Sequence, residues 1–161
     1  MISELKQQIN NDFPLVNEIS NDDDYLSLLD DSQINASDHT VLIVDSSEET
    51  REVLSTVLER DGVKTVSTAI PRRGIELAQE VRPDLIVLDL ETQLLSPQET
   101  IASFTENEEI ADTPFVLLGT AKIDQTKMND NFVSKPYHYA PLIQKIKEML
   151  DLLSNKQQKS Q

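Results

Sequence analysis

Pro83-Asp84-Leu85-Ile86-Val87-Leu88-Asp89 is a run of apolar, β-type residues that ends abruptly in a carboxylate. Two other stretches share its design. Val41-Leu42-Ile43-Val44-Asp45 lies upstream, and Phe132-Val133-Ser134-Lys135-Pro136 lies downstream, where the closing charge is a lysine. Continuous apolar runs of this length fit strands buried on both faces, as in parallel sheets covered by helices. In such a sheet the C-terminal strand ends converge on one edge, where ligands bind. The pattern predicts that Asp45, Asp89 and Lys135 meet in one charged cleft despite their separation along the chain.

Outward from these stretches, strand and helix signals alternate from Val41 onward, an α/β pattern. Ser46-Ser47-Glu48-Glu49 reads as a capping box, with Ser46 as N-cap and Glu49 at the third helical position. The helix that follows sets Val53, Leu54, Val57 and Leu58 on one stripe and stops at Asp61-Gly62. Residues 63–69 form the second strand. Pro71 opens the next helix, with Ile75, Ala78 and Val81 facing inward, and Pro83 ends it. Ser96-Pro97-Gln98-Glu99 is a second capping box, with Ile101 and Phe104 as the buried face of its helix.

Pro114 precedes the fourth strand, residues 115–118. Only 16 positions separate Gly119 from Lys135, so the fourth helix is shortened. About two turns fit there, at about 3.6 residues each. Leu142, Ile143, Ile146, Met149, Leu150 and Leu153 make the apolar stripe of a closing helix, and Lys145, Lys147 and Lys156 complement its dipole. Residues 155–161 are polar and are expected to fray.

The chain has 161 residues, enough for one compact domain and a little more. It contains no Cys, which removes disulfides and thiolate metal sites and agrees with a reducing cytoplasm. The first residues lack the apolar core of a signal peptide, and no apolar run approaches membrane-helix length. A net charge of −15 argues against nucleic acid and anionic membranes as partners.

The acid is concentrated at the start: residues 1–39 hold nine acids against Lys6, a net −8. That imbalance divides the chain into an acidic extension, 1–38, a domain, 39–154, and a polar tail, 155–161. Within the extension, Ser3 to Asn10 has short-helix character, and Tyr25, Leu26, Leu28 and Leu29 sit among acids. These four have three readings: linker, amphipathic helix docked on the domain, or motif for an external partner. Docking or partner binding is favoured over a solvated spacer.

Over residues 40–153 the three fragments resemble the receiver domain of bacterial two-component response regulators. The resemblance implies an α/β, (βα)5 flavodoxin-like fold, a doubly wound parallel five-stranded sheet. It implies phosphoryl transfer from a histidine kinase to an aspartate at the end of the third strand, here Asp89. It further implies Mg2+ held by Asp45, Asp89 and the backbone carbonyl of Glu91. Lys135 would contact the acceptor and the phosphoryl oxygens, the peptide bond before Pro136 would be cis, as is usual in the family, and Phe132 would be the aromatic switch. The chemistry needs these types. A phosphoryl donor and a carboxylate repel, so a dication and an ammonium must neutralise the developing charge.

Several positions depart from the family pattern. The acid pair after the first strand is Asp45-Ser46, so a serine replaces the usual direct metal ligand and Mg2+ binding is expected to be weak. Gly119 stands where the family carries a hydroxyl that meets the phosphoryl group, with Thr120 one position later as the candidate catalytic residue if a one-residue shift restores that hydroxyl. Gln93 and Pro97 replace the family's proline and glycine after the acceptor. Ser46 as helix N-cap is preferred to Ser46 as metal ligand. His39 and His138 are expected at the surface, His138 as a cap of the last helix.

Two functions follow from these residues. In the first, Asp89 is phosphorylated and the face around Phe132 and the last helix shifts between two states. In the second, a degenerate or pseudo-receiver, the Asp45, Asp89 and Lys135 pocket is structural and the domain is a phosphorylation-independent scaffold or adaptor. Ser46 favours the second. No output domain follows Leu153, so action is expected through protein contact, with a histidine kinase or phosphotransfer protein and a protein effector as partners. An enzyme or nucleotide binder lacks support, because there is no Gly-rich phosphate loop.

Overall fold

The structure is a computed structural model and describes residues 38–92, 94–120 and 131–159. Strand β1 (Thr40–Val44) leads to helix α1 (Glu48–Arg60), β2 (Lys64–Thr68), α2 (Pro71–Val81) and β3 (Leu85–Asp89). Helix α3 (Pro97–Thr105), β4 (Phe115–Gly119), β5 (Phe132–Ser134) and α4 (Tyr139–Lys159) follow. The five strands form one parallel sheet in the order β2-β1-β3-β4-β5. The switch of direction beside β1 makes the sheet doubly wound.

Period-two alternation in β1 decides which helices cover which face. Val41 and Ile43 point to one core, shared with Leu54 and Leu58 of α1 and Ile146 and Leu150 of α4. Leu42 and Val44 point to the other, with Ala78 of α2 and Phe104 of α3. The central strands β3 and β4 are buried throughout, as their uninterrupted apolar sequence requires.

Two glycines position the helices. Gly62 takes a φ of 87° in the turn after α1, a left-handed conformation that suits glycine. Gly74 lets α2 lie close against β1, because a Cβ there would stand 2.7 Å from Val44 Cγ2 and 3.2 Å from Phe104 Cζ. The α3 capping box forms as read, with Ser96 and Glu99 reciprocally bonded and Pro97 at the first position. Lys147 of α4 pairs with Asp61 at the end of α1, tying those two helices together.

The structure corrects four local expectations. The N-cap of α1 is Ser47, whose hydroxyl accepts from Thr50 N–H, so Ser46 is not the cap. Asp45 Oδ1 accepts from Ser47 N–H at 2.8 Å, and this turn delays the helix by one residue. Val81 is exposed, because the buried stripe of α2 runs from Gly74 to Ala78. His39 is buried: its Nε2 lies 2.6 Å from Ser154 Oγ, and its Nδ1 lies 3.6 Å from Asp84 Oδ2. The last turns of α4 thus reach His39, beside the start of β1.

Finally, α4 runs on to Lys159, past the point where fraying was expected. No helix breaker interrupts residues 155–159, and Lys156 and Lys159 suit its C-terminal dipole. His138 is exposed, and its carbonyl accepts from Leu142 N–H in the first turn of α4. The shortened fourth helix between β4 and β5, the segments within residues 1–37, and Gln93 lie outside the described residues.

Candidate functional site: an acidic cleft at the strand ends

Backbone pairing carries three charged residues to one end of the sheet. Asp45 follows β1 and its N–H bonds Thr68 O of β2 at 3.1 Å. Asp89 ends β3 opposite Leu118 of β4. Lys135 follows β5 and its N–H bonds Gly119 O at 3.0 Å, holding it to β4. The peptide bond between Lys135 and Pro136 is cis. All three residues line one cleft of about 540 Å³, together with Ser46, Glu91 and Thr120. Thr50, Tyr137 and Tyr139 form another wall.

Asp89 is 2% exposed, and its two oxygens differ. Oδ1 accepts from Lys135 Nζ at 2.7 Å and from Glu91 N–H at 3.1 Å. Oδ2 accepts only a long 3.4 Å bond from Ser46 Oγ among the described residues. Burial pulls the Lys135 pKa down, but the hydrogen bond and charge of Asp89, with Glu91 and Asp45, outweigh it, and the net direction is upward.

Asp45 is 3% exposed and its pKa is pushed up to about 6. Burial is the main cause, and the nearby Asp89 charge adds to it. The Ser47 N–H bond and the Lys135 and Arg51 charges oppose the rise. Arg51 also donates from Nη1 to the Asp45 carbonyl at 2.7 Å, fixing the start of α1 over the cleft.

Asp45 Oδ2 is buried and has no hydrogen-bond partner among the described residues. An ionised oxygen so placed is costly, and a small hard cation is the partner that its chemistry suits. Among the described residues, no three His, Cys, Asp or Glu side chains gather closely enough to cage a metal unaided. Mg2+ needs no such cage, since it commonly takes one or two carboxylates plus water and phosphate oxygens. Asp45 and Asp89 therefore fit it, while the neutral Ser46 hydroxyl supplies less attraction than an acid would.

At the β4 end the strand closes on Gly119, and the hydroxyl belongs to the next residue. Gly119 is the last residue of β4, buried and paired with Ser134. A Cβ on it would lie 3.7 Å from Phe132 Cε2, so the half-buried Phe132 ring faces this position. Thr120 follows at the cleft rim, but its hydroxyl donates to Glu91 Oε1 and not to Asp89. The side chain of Glu91 is the residue that sequence reasoning missed, having assigned only its carbonyl. An acid two positions beyond Asp89 was the available signal.

On the remaining wall, Thr50 Oγ1 and the Tyr139 hydroxyl lie 3.1 Å apart, and the Tyr137 and Tyr139 rings meet edge to face. Burial raises the pKa of the Tyr137 phenol, which stays neutral. No described helix is long and apolar enough to cross a membrane.

The response regulator receiver domain profile matches residues 41–147. The polar-differentiation response regulator DivK of Brucella anthropi is 27% identical over 117 residues, spanning 69% of this chain and 95% of that protein. DivK of Brucella ovis matches to the same extent, 27% over 117 residues with 69% and 95% covered. Among solved structures, the chemotaxis response regulator CheY4 of Vibrio cholerae gives a TM-score of 0.58 at 22% identity, covering 69% of this chain and 98% of that one. A CheY-like receiver domain protein from Methanospirillum hungatei gives 0.61 at 19% identity, covering 73% and 98%. At those identities the structures speak for the flavodoxin-like fold alone. The profile covers well over half of the chain, and the chain belongs to the response regulator receiver domain family of two-component signalling.

Proposed function

We propose that this protein is a phospho-accepting signalling receiver in which Asp89 takes a phosphoryl group and the change is read by a protein partner. The observation that carries the reading is the buried Asp89 carboxylate with the Lys135 ammonium 2.7 Å from Oδ1. Asp89 Oδ2, the less engaged oxygen, attacks the donor phosphorus. The bond from phosphorus to the donor's imidazole nitrogen breaks with its electron pair, the imidazole takes a proton from water, and an acyl phosphate forms on Asp89. Lys135 offsets the negative charge that builds up on the transferred group. Mg2+, weakly held by Asp45, Asp89 and the Glu91 carbonyl, supplies charge neutralisation when bound.

The donor is a histidine kinase or phosphotransfer protein, and the recipient of the signal is a protein effector in the cytoplasm; neither nucleic acid nor membrane is a partner. The protein acts as a signal carrier and not as an enzyme. Phe132 beside Gly119 is the side chain that responds to the cleft and reports to the helix face. Residues 1–38 are an acidic extension to the receiver domain, which begins at residue 39 and whose last helix carries the polar end of the chain as far as Lys159.

A specific observation favours a second reading. Ser46 stands where an acid would strengthen the metal site, and Lys135 already holds Asp89 in an ion pair. In that reading the cleft is structural and the domain is a phosphorylation-independent adaptor. Incubation with Mg2+ and acetyl phosphate, followed by intact mass measurement, separates the two. A phosphoryl adduct abolished by Asp89→Asn is expected. Absence of any adduct over hours would overturn the first reading in favour of the second.

A further inference from the structure

Glu91 stands two residues beyond the acceptor, and its backbone N–H donates to Asp89 Oδ1 at 3.1 Å. That bond folds the segment after β3 back on itself and aims the Glu91 side chain across the cleft toward β4 and β5. There its carboxylate collects three donors. Oε1 accepts from Thr120 N–H at 2.9 Å and from the Thr120 hydroxyl, and Oε2 lies 3.6 Å from Lys135 Nζ. The Thr120 hydroxyl, with the other polar contacts, lowers the Glu91 pKa, so the side chain is ionised.

A backbone N–H, a hydroxyl and an ammonium converging from one side are what an oxyanion with several oxygens requires. A phosphoryl group on Asp89 brings three such oxygens into the same cleft. We propose that the Glu91 carboxylate is a built-in latch that occupies the Thr120 and Lys135 donors in the resting protein and must swing out before a phosphoryl group can use them. Glu91 is 39% exposed, so its displaced carboxylate has water to enter. Thr120 is likewise exposed at the rim, and its hydroxyl becomes free only when Glu91 leaves. Glu91 is therefore a positioning residue that sets the resistance of the cleft to its donor. This inference rests on the phospho-acceptor reading of Asp89 and adds its regulation.

The test follows labelling by acetyl phosphate and Mg2+ in the wild type and in Glu91→Ala, Glu91→Gln, Glu48→Gln and Asp89→Asn. Glu48 stands exposed in the first turn of α1, outside the lining of the cleft, so its variant measures the effect of removing a nearby negative charge alone. Glu91→Ala is expected to label at least about tenfold faster than the wild type, since it releases a charged hydrogen-bond set. Glu91→Gln, which keeps an oxygen for Thr120, falls between them. Glu48→Gln is expected to stay within about twofold of the wild type in ordinary salt.

Equal rates for the wild type and Glu91→Ala, both lost in Asp89→Asn, would overturn the latch and leave the acceptor reading intact. So would a Glu48→Gln rate matching that of Glu91→Ala. No adduct in any variant overturns the acceptor reading and the latch with it. A second measurement needs neither donor nor metal: hydrogen exchange of the Thr120 amide is expected to be several-fold slower in the wild type than in Glu91→Ala. Equal exchange would mean that the latch does not form.

Discussion

The ammonium of Lys135 lies 2.7 Å from Asp89 Oδ1, joining the ends of β5 and β3 across the intervening β4. The acid is 2% exposed, whereas the lysine side chain keeps 25% of its surface open to water. Removing the cation leaves a buried charge without its main partner. Lys135→Ala is therefore expected to lower stability at neutral pH by about 2 kcal/mol, less than a fully enclosed pair would lose. Adding Asp89→Asn to Lys135→Ala should restore more than half of that loss. Urea denaturation of the four members of this cycle measures the coupling; strict additivity would show that the pair is energetically idle.

Asp45 gives the cleft a dependence on pH. Its folded pKa stands near 6, above the ordinary carboxylate value of 3.8, so the folded protein binds the extra proton between those values. Stability contributed by this group therefore falls as pH rises from about 4 to about 6, and its cost is present in full above that window. In metal-free buffer, Asp45→Asn is expected to raise stability at pH 7.5 by on the order of 1 kcal/mol, allowing for solvent at the cleft mouth. The gain should vanish by pH 4. Melting curves of both proteins across that range provide the check, and a pH-independent difference would contradict the assignment.

Ser46 reaches Asp89 Oδ2 with a hydroxyl 3.4 Å away. Ser46→Asp adds a third negative charge beside Asp45 and Asp89. Without metal the variant is expected to be less stable than the wild type; with Mg2+ the order reverses, because affinity rises by about tenfold or more. Titration calorimetry with Mg2+ reads the affinity directly. Unchanged binding would place residue 46 outside the metal's reach.

Gly74 tests the packing that brings α2 against the sheet. An alanine there gains helix propensity of about 1 kcal/mol. Its Cβ would meet Val44 Cγ2 at 2.7 Å, in a core that Phe104 also fills. Overpacking of this kind costs about 1–3 kcal/mol, so a net loss is expected for Gly74→Ala. A rise in the urea midpoint would show that α2 can shift outward freely.

The frame of the domain was legible because β1 and β3 are apolar without interruption and run into Asp45 and Asp89, while the short β5 runs into Lys135. That pattern brings Asp45, Asp89 and Lys135 together, since strand ends in a parallel sheet share an edge. The capping box at Ser96 was equally plain, with Pro97 and Glu99 agreeing on one register. At Ser46-Ser47 two adjacent serines compete for the cap, and the choice falls to the Asp45 turn, a contact that spacing does not reveal. Glu91 escaped because its partners arrive from β4 and β5, far away in sequence. His39 escaped because its burial depends on where the last turns of α4 come to lie.

That His39 contact with Ser154 has a geographic consequence. It sets the first residues of β1 beside the closing turns of α4, at the pole of the sheet remote from the acidic cleft. Both polypeptide exits, at Asp38 and beyond Lys159, thus leave the domain on the far side from Asp89. A reporter or affinity handle joined directly at Asp38 or Lys159 would begin its path there, on the side away from the mouth of the cleft.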